Sequence, residues 1–445
     1  MKIIFLDVYK TARARISKDT AGGYGTQNDL GDGLFGRAIT TYIKSSVFWP
    51  NLAFAQLAIE LQRQGHECTY VKCGPGEVAR LPFANVYFVC ASIVCFETEI
   101  EAIKKILATT NKATKIYYCG QIAKVLETLV PAEVTILNGN YEFLLQSLAA
   151  GGINLEDIAS KRAVFIQNGD PSLLSHIDWR DGTFGVLKNR ILARDSGFYP
   201  FIATRGCPYS CYEYCTYPLA QGRNTLHEDI ESVVSKLRKL QRNGVREHVV
   251  FRDPVFSINL AYAKKLLQAI IDARLQLDFS VELHLKNIDA EFLDLSKRAS
   301  VKWIKFGVES ADVNVRSDVK RHSLTNDEIH ARIQGLRKVG IKSLAMFILC
   351  QPTDTVNSCM ASVKYAVHVD PDITQFSIFT PYPGTPYYER TKSNIPDQRY
   401  ENFTQFNLVY PHPVFDNCSA RRIMESAYMR TILAARLGWK NSFFA

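Results

Sequence analysis

Apolar and polar positions run along the chain in two successive cycles of strand and helix. In the first cycle, residues 3–8 are a short apolar run, 52–64 carry apolar residues at helical spacing, and 67–71 and 85–91 return to strand-like runs. A helix over about 97–108, a strand 115–118, a helix from Ile122, a strand 133–137 and a helix from Tyr141 complete it. Short apolar runs alternating with helical ones predict a parallel sheet covered on both faces, so the class is α/β and residues 1–151 form a doubly wound, flavodoxin-like or Rossmann-like domain. Its first connection, 9–50, is long and holds Gly22-Gly23-Tyr24-Gly25 and Asp29-Leu30-Gly31-Asp32-Gly33. Ligands bind at the carboxyl ends of such strands, so this loop either touches one or is a cluster of turns.

Residues 152–199 lack a clear period and carry the turn signals Asn168-Gly169-Asp170-Pro171 and Asp181-Gly182, which predicts a connection with little regular structure. From 200 the alternation resumes with strands at 201–204, 248–252, 278–283, 303–308, 343–349 and 375–379, and helices including 226–243 and 261–274. Six strands in such a series predict a partial (β/α)6 barrel over 200–390. Residues 391–445, with an amphipathic stretch at 420–437, form a C-terminal extension expected to cover the barrel.

Charge adds little to this picture. The net charge of +9 comes from 53 basic and 44 acidic residues that are scattered rather than blocked. Such a surface is either merely solvated or suited to a phosphate-bearing ligand or nucleic acid, and it names no partner by itself; on the sequence as a whole nucleic acid is not expected. No stretch has the length of a signal h-region or a membrane span, so a cytoplasmic protein is expected. Eleven cysteines in a long chain of that kind read as thiols, and clustered ones as metal ligands. Cys68, Cys73, Cys90, Cys119 and Cys350 lie in or beside apolar runs and read as core.

One cluster stands apart: Thr204-Arg205-Gly206-Cys207-Pro208-Tyr209-Ser210-Cys211-Tyr212-Glu213-Tyr214-Cys215, immediately after a strand. Three thiolates on one loop can hold three irons of a cubane and leave the fourth open to chelate an amine and a carboxylate. Zinc would want a second cysteine pair, which is not found at a fitting distance, and a chance group of buried cysteines would not need Arg-Gly before and Pro after the first.

Residues 205–211 resemble the cluster loop of radical S-adenosylmethionine enzymes, in particular the branch with an N-terminal cobalamin-binding domain. The usual C-x3-C-x2-C spacing is here C-x3-C-x3-C. Further segments match in order: Phe251-Arg252-Asp253-Pro254-Val255-Phe256, Phe306-Gly307-Val308-Glu309-Ser310, the run from Phe347 to Thr355 and the turn from Thr380 to Pro386. In the run from Phe347, Cys350 and Thr353 stand where the family commonly has glycine.

The resemblance implies a [4Fe–4S] cluster on Cys207, Cys211 and Cys215, with S-adenosylmethionine beside Tyr214, Asp253 and Glu309. It implies cobalamin near Ser92, Gly120 and Gly139, held without a histidine because no D-x-H-x-x-G pattern occurs. His66, in a turn, is expected to be no ligand. The implied activity is reductive cleavage of S-adenosylmethionine to a 5′-deoxyadenosyl radical and C-methylation of a small metabolite, natural-product precursor or peptide. An electron donor such as flavodoxin or ferredoxin is expected. Aromatics such as Tyr212, Phe256 and Tyr382 are expected at the barrel mouth. Alternatives are a non-methylating rearrangement, cyclisation or oxidoreduction, a tRNA methylthiotransferase, for which Cys90, Cys95 and Cys119 are poorly spaced as a second cluster, and a non-catalytic corrinoid-binding protein.

Overall fold

The computed structural model describes the whole chain except residues 12–14, 19–20, 47–50, 75–76, 78–80, 112, 140–143, 145–154, 167–197, 210, 243–247, 321–323 and 438–445. Two six-stranded parallel sheets organise it. The first is built from β1 (Lys2–Val8), β2 (Glu67–Cys73), β3 (Val86–Cys90), β4 (Lys115–Cys119), β5 (Thr135–Gly139) and β6 (Ala163–Ile166), in the spatial order β2-β1-β3-β4-β5-β6. That is the flavodoxin-like order extended by one strand, and the order reverses between β1 and β3. Among its helices are α1 (Leu34–Ser46), α2 (Leu52–Arg63) and α3 (Phe96–Thr109). With helices packed against the sheet, β3 is buried at all five positions and β1 at all but its first. Asn51 starts α2 by accepting a hydrogen bond from the Phe54 backbone N–H at 2.9 Å.

The second sheet runs in sequence order through β7 (Phe198–Phe201), β8 (His248–Phe251), β9 (Asp278–Glu282), β10 (Val301–Glu309), β11 (Lys342–Leu349) and β12 (Ile373–Ile378). In β10 and β11 buried residues alternate with more exposed ones, because one face meets the outer helices and the other lines the open barrel. Capped helices separate the strands. Asp289 and Thr325 start two of them, Thr325 with Glu328 as a reciprocal capping box.

Three expectations need correction. The connection 152–199 contributes β6 to the first sheet, because the run Ala-Val-Phe-Ile is too short for periodicity to reveal its pairing with β5. The helix expected from Ile122 is a series of turns ending in a single 3-10 turn at Glu127–Leu129. The helix expected from 226 begins at Ile230, since Leu226–His227 pair instead with Thr204–Arg205 as a two-residue ribbon. The helix expected from Tyr141 falls largely outside the described residues.

The C-terminal helix α4 (Asn417–Leu437) packs on the barrel strand β12, with the Tyr428 hydroxyl bracketing the Phe376 backbone at 2.7 and 2.9 Å. It also reaches the first domain, where Glu425 accepts from the Gly36 N–H at 3.0 Å and Arg421 lies 3.4 Å from Asp29. Gly31 and Gly33 are packed so closely on Glu425 that a Cβ at either would overlap its carboxylate. Half of the glycine-rich connection is therefore a docking surface for this helix. The two domains meet again where Tyr24 donates to the Pro383 carbonyl at 2.9 Å and Tyr382 to the Gly25 carbonyl at 3.2 Å, with the rings edge to face. Tyr382 belongs to this clasp, and Phe256 is buried beside Phe251, so both are covered side chains.

Candidate functional site

The loop after β7 is shaped by its glycine and by the neighbouring segment 222–226. Gly206 has φ +85°, and a Cβ there would sit 2.0 Å from the Asn224 carbonyl oxygen. Only glycine tolerates both conditions. The Cys207 N–H donates to the Gly222 carbonyl at 3.0 Å and Arg223 to the Pro208 carbonyl at 2.9 Å, which pins the first cysteine. A Gly206→Ala chain is expected to lose about 2 kcal/mol or more of stability in urea unfolding, and a change under 0.5 kcal/mol would show that the loop is not so constrained.

The additional residue between Cys211 and Cys215 is absorbed by a helical turn. The Cys215 N–H donates to the Cys211 carbonyl at 3.0 Å, so the two cysteines stand one turn apart on the same side. Contact with the Cys211 thiol, then burial, then the proximity of Cys207 push the Cys215 thiol well above its ordinary range. Cys207 and Cys211 are buried and Cys215 is half-buried. Among the described residues, no three His, Cys, Asp or Glu side chains converge closely enough for a single metal ion. A cubane asks something different, since each thiolate meets its own iron and the sulfurs spread around the cluster. Three neighbouring thiols on one loop fit that donor set.

Asp253, at the end of β8, holds the root of this loop. Its Oδ1 accepts from the Ala203 N–H at 3.1 Å and from the Thr204 N–H. The sequence pattern places it beside a cofactor; the structure places it beneath the backbone that carries the cysteines. Burial pushes its carboxyl up to about 6 against the pull of those donors. A carboxyl whose folded pKa is raised is most favourable below its unfolded value near 3.9, and that advantage disappears as pH rises through about 6. An Asp253→Asn chain keeps the acceptor and removes the charge. In urea unfolding, the wild type is expected to lose on the order of 3 kcal/mol relative to this variant between pH 4 and pH 7. Parallel curves would refute the assignment.

Tyr214 packs obliquely on Phe379, with ring centroids 5.8 Å apart. Glu213 anchors the loop from the outside, 2.7 Å from Arg390 and 3.3 Å from Lys320. Glu309 closes β10 at φ +70°, and Cys350 after β11 has φ +54°. The positive φ of Cys350 accounts for the glycine that the family commonly carries there, since glycine reaches that region without penalty.

A cleft of about 100 Å³ separates the two sheets at their carboxyl ends. The first domain lines it with Lys18, Gly22, Gly23, Asn51, Cys90, Cys119, Gly120 and Gln121; the barrel adds Ile202, Arg205, Tyr217, Gln221 and Arg252. This is the switch point of the first sheet, directly facing the root of the cysteine loop. Of the three glycine and serine positions expected at a ligand, Gly120 lines this cleft, whereas Gly139 is not among the residues that do. Ser92 is buried below it, its N–H and Oγ both donating to Glu99 at 3.1 and 2.7 Å.

The sequence reading missed a buried ionic cluster beneath the cleft floor. Lys18 Nζ lies 2.7 Å from Glu99, 3.1 Å from Asp7 and 3.2 Å from the Cys90 carbonyl. Tyr9 and Tyr70 donate to Asp7 at 2.6 and 2.8 Å, and Tyr118 to Glu99 at 2.7 Å. Burial alone would pull the Lys18 ammonium down, but Glu99 and Asp7 outweigh it and hold it well above its ordinary range. A signal was present: Asp7 interrupts an apolar strand, and Glu99 shares a helical face with Ala102, Ile103 and Ile106.

Residues 201–366 match the model of the radical SAM superfamily. The chain carries a radical SAM domain. Among curated proteins, it is 24% identical over 245 residues to an uncharacterized methyltransferase of Pyrococcus horikoshii, covering 54% of this chain and 53% of that one. It is 24% identical over 218 residues to the bacteriochlorophyllide d C-12(1)-methyltransferase of Chlorobaculum tepidum, covering 48% and 47%. The chain thus spans about half the length of the curated relatives it matches. Among solved structures, it superimposes on the radical S-adenosylmethionine methyltransferase TsrM of Kitasatospora setae, which has cobalamin and a [4Fe–4S] cluster bound. The TM-score is 0.65 at 15% identity, over 98% of this chain and 95% of that one. The match therefore extends the shared fold beyond residues 201–366 to the first domain as well.

Proposed function

We propose that this protein is a cobalamin-dependent radical S-adenosylmethionine enzyme that methylates carbon. The observation that carries the reading is the facing of the two strand-end surfaces: Arg205 at the root of the cysteine loop, with Tyr217 and Gln221 just beyond it, lines the cleft at the switch point of the first domain. The loop would hold a [4Fe–4S] cluster through Cys207, Cys211 and Cys215, with S-adenosylmethionine beside Tyr214 and Glu309. The cleft would hold cobalamin. Its carboxamide lining, Asn51, Gln121 and Gln221, matches a corrin rimmed with carboxamides, and Gly22, Gly23 and Gly120 allow close approach of backbone. Bound there, the cluster and S-adenosylmethionine supply a 5′-deoxyadenosyl radical and the corrinoid a transferable methyl group.

The chain's own residues do the rest. Asp253 fixes the loop, Tyr214 and Phe379 give an apolar wall, and the interdomain clasp of Tyr24 with Tyr382 keeps the two halves of the cleft in register, excluding water from the reacting centre. A small-molecule or peptide substrate and a flavodoxin- or ferredoxin-like reductant complete the reading. Among the described residues no helix is long and apolar enough to cross a membrane.

The test is anaerobic reconstitution with iron, sulfide and hydroxocobalamin, followed by assay of iron, corrinoid and 5′-deoxyadenosine after reduction. About four irons and one corrinoid per chain with nucleoside formation support the proposal. A loaded cluster without corrinoid removes the methyl-transfer half, and absence of a cluster overturns the whole.

A further inference from the structure

We infer that Arg316 is a positioning residue for Glu309, acting through the strained turn that ends β10. The inference rests on the reading that Glu309 contacts S-adenosylmethionine. Glu309 does not continue its strand. Its φ is +70°, the pairing of β10 with β11 shifts register between Gly307 and Glu309, and the Ser310 N–H bonds back to the Val308 carbonyl at 3.0 Å. A three-residue turn with positive φ at its centre is the rare γ form, unfavourable for any residue with a side chain. Something must hold the chain in it.

The structure shows what does. Arg316, on the short helix Val313–Asp318, is only 1% exposed, although it is the bulkiest fully buried side chain among the described residues. It donates to the Ser310 carbonyl at 2.8 Å, to Asn326 Oδ1 at 2.7 Å and to the Leu324 carbonyl at 3.2 Å. Asn326 in turn donates to the Ala311 carbonyl at 2.9 Å. Ser362 completes the brace, its Oγ accepting from the Ala311 N–H at 2.9 Å and meeting Ser310 Oγ at 3.2 Å. The two residues after Glu309 are thus gripped on both carbonyls, one amide and one hydroxyl. Burying a cation to bind neutral oxygens is a costly way to stabilise a loop. Here it fixes the backbone direction immediately after Glu309, and therefore the direction of the Glu309 side chain.

The experiment measures equilibrium binding of S-adenosylmethionine to anaerobically reconstituted protein, beside iron content and the thermal midpoint. Arg316→Gln is expected to weaken binding roughly 10- to 100-fold at unchanged iron content, the effect of losing hydrogen bonds from a charged donor. Arg316→Lys should recover part of it. Because the effect passes through Glu309, Arg316→Gln combined with Glu309→Gln should bind no more weakly than the weaker single variant. Wild-type affinity in Arg316→Gln, or losses that multiply in the double variant, overturn the inference. Should Arg316→Gln not fold, Ser362→Ala replaces it with an expected several-fold loss that again vanishes in the Glu309→Gln background; unchanged affinity there overturns the inference equally. If Glu309→Gln binds like wild type, the Glu309 assignment itself fails. If the wild type binds no S-adenosylmethionine, the proposed function fails.

Discussion

A chain carrying Cys207→Ala, Cys211→Ala and Cys215→Ala together is expected to retain only background iron after anaerobic reconstitution and to form no 5′-deoxyadenosine on reduction. The three thiols are soft donors concentrated on one loop, the donor set that a cubane would need. Each single variant should behave almost as badly, because a cubane held by two protein ligands is readily lost. Cys215→Ala is the most informative of them. In that position the helical turn, rather than the usual family spacing, would deliver the ligand. Full iron content and activity in Cys215→Ala would mean that another residue serves as the third ligand.

Replacing Lys18 with methionine is expected to destabilise the first domain by about 3–5 kcal/mol, read as a lowered urea midpoint by circular dichroism. The substitution leaves Asp7 and Glu99 facing each other without the cation that both contact. Burial already raises the Glu99 carboxyl above its ordinary value, with Lys18, Ser92 and Tyr118 working against it. Without Lys18 that carboxyl rises further. A raised folded pKa means stability that is present at low pH and lost as pH rises through it, so the defect of Lys18→Met should shrink on acidification from pH 8 to pH 5. A small loss that ignores pH would show that the cluster is not held by charge. Because Lys18 also lines the cleft, the same variant should weaken retention of corrinoid even at temperatures where it remains folded.

Much of this protein is legible without coordinates. Short apolar runs revealed the parallel strands, since a strand buried on both faces has no polar side to interrupt it. The cysteine loop stood out because its three thiols are neighbours in sequence. Where the reading failed, the deciding contact was distant. β6 is a strand because it pairs with β5, and residues 226–227 leave their helix because they pair with 204–205. Ser92 sits at the expected strand end yet turns away from the cleft, because Glu99, seven residues on, claims both its N–H and its hydroxyl. Asp253 matches a motif position, but only the fold shows that its carboxylate serves the backbone of the cysteine loop.

The sequence by itself determined two α/β halves, the three cysteines and the order of the strand-end segments, because hydrophobic period and ligand spacing are local properties. Tertiary structure alone decided which strand ends face each other, which glycines line the cleft and which serve α4, and how Asp7, Lys18 and Glu99, or Glu309 and Arg316, come together. Burial turns such distant polar residues into partners: away from water, a charge or a carbonyl must find its complement wherever the packing of the chain has placed it.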